Sequence, residues 1–383
     1  MKLKNIFLSA LAVLVCTACS KDENSSSSWR DKADASLSVM VKAAGTAKTK
    51  GFHPNDENEL AGEAKVNSLA VLVFDDESAD VVGYGWQNTT GSEGEATIPS
   101  VQTKAVKARI VIVSNVEENT FANVTNYSDF EARLARLADQ TQDNLVMSSP
   151  VIVSNNTLVA GDNYLGYENA ITNINGIDSP VEITRLAARI DMVSLKTTFT
   201  RTALVNRTVR IDEVSIVNEN TASRFFSENY WGAVMVKGYL ADSPVEAFNR
   251  NLSNGSPIED TPYVHYVMEN DASENATQIV VKATLLETDT HYAEVKTFTA
   301  DINKNGILNG FDHNYIKRNY VYRLNITFGD TSFDGTLEKP TDPDPDPDPD
   351  PEDPPTPPTP TTGDLDVQVE VVSWGPVSQD VEI

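Results

Sequence analysis

The run from Pro340 to Gly363 limits this chain more than any other segment, because no packed core can contain it. Asp and Pro alternate from Asp342 to Pro351, and Pro354, Pro355, Pro357, Pro358 and Pro360 follow. Proline fixes φ and removes a backbone donor, and neighbouring carboxylates repel, so the tract is expected to be an extended, semi-rigid spacer. Beyond it, Asp364 to Ile383 alternates in hydropathy. Leu365, Val367, Val369 and Val371 share one face, and Asp366, Gln368 and Glu370 the other. A period of two marks a half-buried strand. Trp374 and Gly375-Pro376 interrupt the pattern, which resumes in phase with Val377, Val381 and Ile383. An apolar strand on a long arm has two destinations. One is a groove on another molecule, which the pattern favours and which would build polymers by strand donation. The other is a fold-back onto its own chain, which the spacer is long enough to allow.

The N-terminus indicates the compartment. Lys2 and Lys4 precede an apolar stretch from Ile6 to Val15 that is too short for a membrane span, so residues 1–18 are expected to be a secretion signal. Thr17-Ala18-Cys19 is similar to the lipobox at which bacterial lipoproteins are cut and acylated, with Cys16 standing where Leu is usual. Cys19 is therefore the expected lipidation site, and an ordinary signal peptide that happens to contain cysteine is the other reading. Residues 19–34 are read as a lipidated flexible tether, with Ser20-Lys-Asp-Glu23 resembling an acidic surface-export tag. If Cys16 leaves with the signal and Cys19 is acylated, no thiol remains for a disulfide, and stability must come from burial. The net charge of −26 argues against nucleic acid or an anionic membrane face as a partner.

Between tether and spacer the chain reads mostly as strands. Ala35 to Lys42 alternates with Leu37, Val39 and Val41 inward, and a polar loop to about Val66 follows, broken by Gly45, Gly51, Pro54 and Gly62. Further strands are expected at 69–74, 108–113, 151–154, 181–183, 188–195, 209–217, 264–268, 278–286, 292–302 and 320–328. Two helices are expected. Tyr127 to Leu137 opens on a Ser128/Glu131 capping box and carries Phe130, Leu134 and Leu137 at helical spacing. A shorter one runs from Ser243-Pro-Val-Glu246 toward Leu252. The fold class is mainly β: two β-sandwich (transthyretin-like) domains at 35–198 and 199–335, then the spacer at 336–363 and the terminal strand at 364–383.

The catalytic inventory is thin. His53, His265, His291 and His313 are scattered, and no HExxH, G-x-S-x-G or phosphate-loop pattern is present. The chain reads as no enzyme and calls for no cofactor. One stretch has calcium-loop spacing: Asp301, Asn303, Asn305, Gly306, Asn309 and Asp312. The sequence on both sides of it is strand-like, whereas an EF-hand needs helices. The favoured reading is a polar hairpin loop that uses Asn-Gly for positive φ.

Several segments together resemble the FimA-type fimbrillins, the major fimbrial subunits of Bacteroidales type V pili. They are Thr17-Ala-Cys19-Ser-Lys-Asp, Ala35-Ser-Leu-Ser-Val-Met-Val-Lys42, Asn67-Ser-Leu-Ala-Val-Leu-Val-Phe74 and Ile183-Thr-Arg-Leu-Ala-Ala-Arg189. Tyr266-Val-Met-Glu-Asn-Asp271, Ile316-Lys-Arg-Asn-Tyr-Val-Tyr-Arg-Leu324 and Leu365-Asp-Val-Gln-Val-Glu-Val-Val-Ser-Trp374 complete the set. The resemblance implies an outer-membrane lipoprotein precursor whose first strand is cut away by a trypsin-like protease. The groove so opened is filled by the C-terminal strand of the next subunit, giving a cell-surface fimbrium that supports adhesion. The residues add their own support, since Leu37, Val39 and Val41 offer nearly the same row as Leu365, Val367 and Val369. The family's best-known members are cut after Arg, yet no Arg lies between Arg30 and Arg109; Lys50, and after it Lys48, are the expected processing sites. A terminal anchor or tip subunit is a further option within the pilus class, but tip subunits of the family tend to lack the donor tail, so a shaft subunit is expected. Its partners would be other copies of itself and related anchor and tip subunits. The alternative is a surface lipoprotein that binds glycans or solutes, with its tail packed in cis.

Overall fold

The computed structural model describes residues 29–44, 59–225, 236–260, 263–339, 361–363 and 366–374. The protein is mainly β, with one short α-helix, α1 (Tyr127–Glu131), among the described residues. The first part of the chain forms β1 (Ala35–Ala43), β2 (Lys65–Asp75), β3 (Val81–Glu93), β4 (Glu95–Thr103) and β5 (Ala108–Ser114). Shorter strands follow: β6 (Leu134–Arg136), β7 (Met147–Ser148), β8 (Ile152–Val153), β9 (Gly161–Leu165) and β10 (Val181–Arg185). The second part forms β11 (Ala187–Thr197), β12 (Val209–Val217), β13 (Glu219–Asn220), β14 (Ala222–Arg224), β15 (Leu240–Ala241) and β16 (Glu246–Leu252). Then come β17 (Tyr263–Met268), β18 (Gln278–Leu285), β19 (Glu294–Asp301) and β20 (Tyr320–Phe328). The tail supplies β21 (Thr361–Gly363) and β22 (Asp366–Ser373).

The first domain is one continuous sheet in the order β3-β2-β5-β7-β10-β1-β4, with β8 on β5 and β9 on β1. Its core holds Leu37, Val39 and Val41 of β1 against Leu69, Val71, Val73, Ile110 and Ile112. β2 and β5 are apolar on both faces, so they read as unbroken runs rather than alternating ones. Their second face, with Leu72, Phe74, Val111 and Val113, joins Phe121, Phe130, Phe225, Val321, Val372 and Trp374 in a cluster shared by the two domains. The second domain is a sandwich of two sheets, β15-β13-β17-β11-β20-β22 and β16-β12-β18-β19-β21, closed over a core that includes Ile190, Met192, Ile211, Val281, Phe298 and Leu324.

Several expectations need correction. The expected division near residue 198 falls too late, because β11 forms its ladders with β17 and β20 of the second domain. Ile190, Met192 and Leu195 face the second core, so the sheets part between Arg185 and Ala187. The helix expected at 127–137 stops at Glu131, and its N-cap is Asn126, whose Oδ1 accepts from the Asp129 amide at 3.0 Å. Leu134–Arg136 is instead drawn into a ladder with β14, so tertiary pairing overrides the helical spacing. The helix expected after Ser243 is β16, paired with β12. The Ser243 hydroxyl accepts from the Ile216 amide at 2.9 Å rather than capping a helix. β3 and β4 are additional strands that polar residues and glycine concealed. Gly83 and Gly85 serve there because an added Cβ would lie 2.9 Å and 2.7 Å from Thr103 and Val101.

Candidate functional site

Two strands with matching apolar rows occupy very different seats. β1 is an inner strand. It runs antiparallel to β4, with Leu37, Val39 and Val41 opposite Val101, Ile98 and Ala96, and parallel to β9 and β10 on its other side. Leu37, Val39 and Val41 are each 0% exposed. Taking β1 away would open an apolar slot with unpaired backbone on both sides, the kind of edge that can pair with another strand.

The tail is not held away from its own chain. β22 pairs antiparallel with β20, placing Val367, Val369 and Val371 opposite Ile326, Leu324 and Tyr322. These three valines are half-buried against the second-domain core. β21 runs parallel to β19. Together the two segments cover β19 and β20, the outer strands that the second domain would otherwise leave as open edges in its two sheets. The expected row on odd positions is present, but the deepest tail residues lie beyond it. Val372 is 4% and Trp374 2% exposed, both in the cluster shared by the domains.

Trp374 ends in a buried polar junction. Its amide donates to the Asn319 carbonyl at 3.1 Å, and its Nε1 donates to Glu63 Oε2 at 2.9 Å. Glu63 precedes β2 in a turn that Gly62 makes possible at φ 92°, a conformation few other residues adopt. Its carboxylate, 0% exposed, also accepts from Arg189 Nη1 at 2.8 and 2.7 Å, from the Tyr266 hydroxyl at 2.6 Å and from the Leu60 amide at 2.7 Å. Alternation along β11 sends Arg189 and Asp191 to this junction while Ile190 and Met192 face the core, and Arg189 forks onto Asp191 at 2.7 and 2.8 Å. Arg185, at the end of β10, donates to the Glu63 carbonyl at 3.0 Å, to the Ala44 carbonyl at 2.9 Å and to Glu59 Oε1. The Trp374 ring lies under both guanidinium groups, at 4.9 Å from Arg185 and 5.3 Å from Arg189, and stacks on Tyr266 at 5.9 Å.

Burial pushes the Arg185 pKa down, against the pull of Glu59 and Glu63. Burial acts on Arg189 in the same sense, but Asp191 and Glu63 outweigh it and its pKa is raised. Burial, and then the bond to Glu63, drive the Tyr266 hydroxyl far above its usual range, so it stays a donor. Every charge in the junction thus has a partner, as buried ions require.

Cys19, Lys48, Lys50, Leu365, Val377, Val381 and Ile383 lie outside the described residues. The calcium-loop candidates form no ligand cage. Asp301 is held by Lys304 at 2.8 Å and Gln278 at 2.6 Å, and Asp312 by Lys317 at 3.0 Å, Tyr320 at 2.8 Å and His313. Asn303 directs its amide at the His313 and Tyr315 carbonyls, and the Asn305 carbonyl accepts from Asn309. No group of three or more acidic, His or Cys side chains is placed to hold a metal ion among the described residues. The hairpin reading fails too, since β19 and β20 belong to different sheets. The positive φ angles are at Asn303, 53°, and Gly310, 88°, and Gly306 is required because a Cβ would lie 2.0 Å from the His313 carbonyl.

Glu63, Arg185, Arg189 and Val372 belong to no motif that marks them in the sequence as buried partners of the tail. The available signal was two arginines spaced through the otherwise apolar Leu186-Ala-Ala188 stretch, which is how a buried ion network reads in sequence.

Comparison with known proteins agrees with this division of the chain. Residues 35–185 match the family model of the major fimbrial subunit protein FimA, and residues 186–374 that of the C-terminal domain of Fim1C-like fimbrium tip subunits. The two matches meet where the sheets part. A provisionally named fimbrium tip subunit, Fim1C, from Parabacteroides distasonis is 49% identical over 380 residues, covering 98% of each chain. The crystal structure of a provisionally named cell adhesion protein from the same species has a TM-score of 0.80 at 44% identity, over 91% of this chain and 99% of that one. A fimbrilin from Porphyromonas gingivalis shares the fold, with a TM-score of 0.59 at 15% identity, over 91% and 99%.

Proposed function

The chain belongs to the fimbrial subunits of the FimA and Fim1C-like families, and we propose that it serves as the terminal, tip-type subunit of a cell-surface fimbrium, receiving a strand from its neighbour and donating none. The observation that carries this reading is the tail docked in cis, sealing the edges of β19 and β20. A shaft subunit needs its tail free, whereas a subunit at the end of the polymer has no further partner to fill. The relative named as a tip subunit, which aligns with 98% of this chain, supports the same position.

In the proposed sequence of events, the precursor is acylated at Cys19 and anchored in the outer membrane. A trypsin-like protease cuts after Lys50 or Lys48. Strand β1 then leaves with Leu37, Val39 and Val41, and a neighbouring subunit's strand takes its slot between β4 and the β9/β10 pair. The new strand must bring an apolar side chain every second residue, because the slot floor is built from buried valine, leucine and isoleucine. The subunit's part in adhesion is structural, with no catalytic group called upon.

Immunogold electron microscopy with an antibody to the second domain tests the position. Label confined to fimbrial ends is expected. Label repeated along the fibre would mean that the chain is a shaft subunit.

A further inference from the structure

We infer that the buried junction of Glu63, Arg185, Arg189, Tyr266 and Trp374 is a lock that holds the tail in cis and survives processing of the β1–β2 loop, so that Trp374 decides whether this chain can donate a strand. The inference rests on the tip reading for its biological meaning, but the lock itself is a property of the monomer.

Along most of its length β22 is replaceable. Among the described residues it forms a ladder with one strand, its valines are half-buried, and any strand of the same period could form that ladder. Trp374 is different. It is buried to 2%, it crosses from the second domain to the first, and its Nε1–H meets a carboxylate that has no access to water. Once the indole leaves, Glu63 gives up one of its donors, and the Arg185 and Arg189 guanidiniums lose the aromatic face stacked between them and Tyr266. Tail departure therefore leaves buried charge partly uncompensated, a cost that an ordinary edge strand does not carry.

The positions of the partners in the chain make the lock durable. Glu59, Glu63, Arg185, Arg189, Asp191 and Tyr266 all lie after Lys48 and Lys50, on the side of the cut that remains. Of the acceptors described for Arg185, only the Ala44 carbonyl departs with β1; Glu59 and the Glu63 carbonyl stay. A cut that vacates the acceptor slot therefore leaves the tail's seat standing.

The test compares wild type with Trp374→Ala and Trp374→Phe, each intact and after limited trypsin treatment. Amide hydrogen exchange at 366–373 is one readout and the formation of self-polymers on non-denaturing gels the other. The wild-type tail should stay protected after cutting. Trp374→Ala should speed exchange at 366–373 at least tenfold with β18 and β5 unchanged, and Trp374→Phe, which keeps the ring and loses the Nε1–H, should fall between. After cutting, Trp374→Ala should polymerise and wild type should not. Unchanged exchange in Trp374→Ala, or deprotection of the wild-type tail on cutting, overturns the lock. Protected tails in a wild type that nevertheless labels along fimbrial shafts would overturn the tip reading and leave the lock standing.

Discussion

Strands β1 and β22 present nearly the same valine-rich row, yet the molecule treats them in opposite ways. β1 is bonded on both sides, and its three apolar side chains are sealed from solvent. β22 is bonded on one side, its valines are half-buried, and its attachment is concentrated at Trp374. The strand proposed to be removed is thus the better bonded of the two, which explains why its removal would call for a cut in the chain rather than thermal opening. The strand expected from its sequence to be free is the one that a single buried residue can hold or release.

Charge in the two rows should separate them most. Val39→Asp buries a carboxylate in the first core and is expected to cost at least about 4 kcal/mol, enough to abolish folding of a marginal chain. Urea unfolding of the soluble protein measures it, and a cost under half of that would mean β1 is already loosely seated. Glu63→Ala removes one member of the buried network and should cost about 3–5 kcal/mol. Differential scanning calorimetry should show the loss, together with weaker coupling of the two domains; a change within error would leave the junction no energetic weight. Val369→Asp, on the half-buried row of β22, should cost only about 1–2 kcal/mol, since the side chain can turn partly to water. If Val369→Asp proved as damaging as Val39→Asp, the contrast between the seats would collapse.

A smaller effect concerns acid. The Asp312 carboxyl is held down to about 2; burial opposes this, but its bonds from His313, Tyr320 and Lys317 prevail. A depressed carboxyl stabilises the fold above its ordinary value of 3.8, and that contribution is lost as pH falls toward about 2. Asp312→Asn should therefore flatten the dependence of second-domain stability on pH in that window, as followed by tryptophan fluorescence, without changing the behaviour of β1. The smallest expected stability effect is that of Lys48→Gln with Lys50→Gln, at most about 0.5 kcal/mol, since the sequence places both in a polar loop. Resistance to trypsin in the loop should nonetheless be complete, and cleavage there at the wild-type rate would remove both lysines as processing sites.

Much of the strand content was legible from short-range pattern. The rows of β1, β12, β18 and β20 alternate because each has one face on a core, and their positions follow from that alone. β3 was hidden because its core-facing positions include Gly83 and Gly85, which pack by absence of a side chain. The helix expected at Leu134 failed because a three-residue ladder with β14 took the segment, a partner nearly ninety residues away in sequence that no local window contains.

By itself the sequence determined the β class and which side chains of the tail share a face, and it set the secretion-type leader and the spacer as expectations. These depend on periods and compositions that span a few residues. Tertiary structure alone decided that β11 belongs to the second domain, that the tail lies on β20, and that Glu63 meets Trp374 across 311 positions of chain. A period of two says which residues point the same way, but not which sheet receives them. A long spacer allows a seat in cis as readily as one in trans, and the choice between them rests on buried partners drawn from both domains.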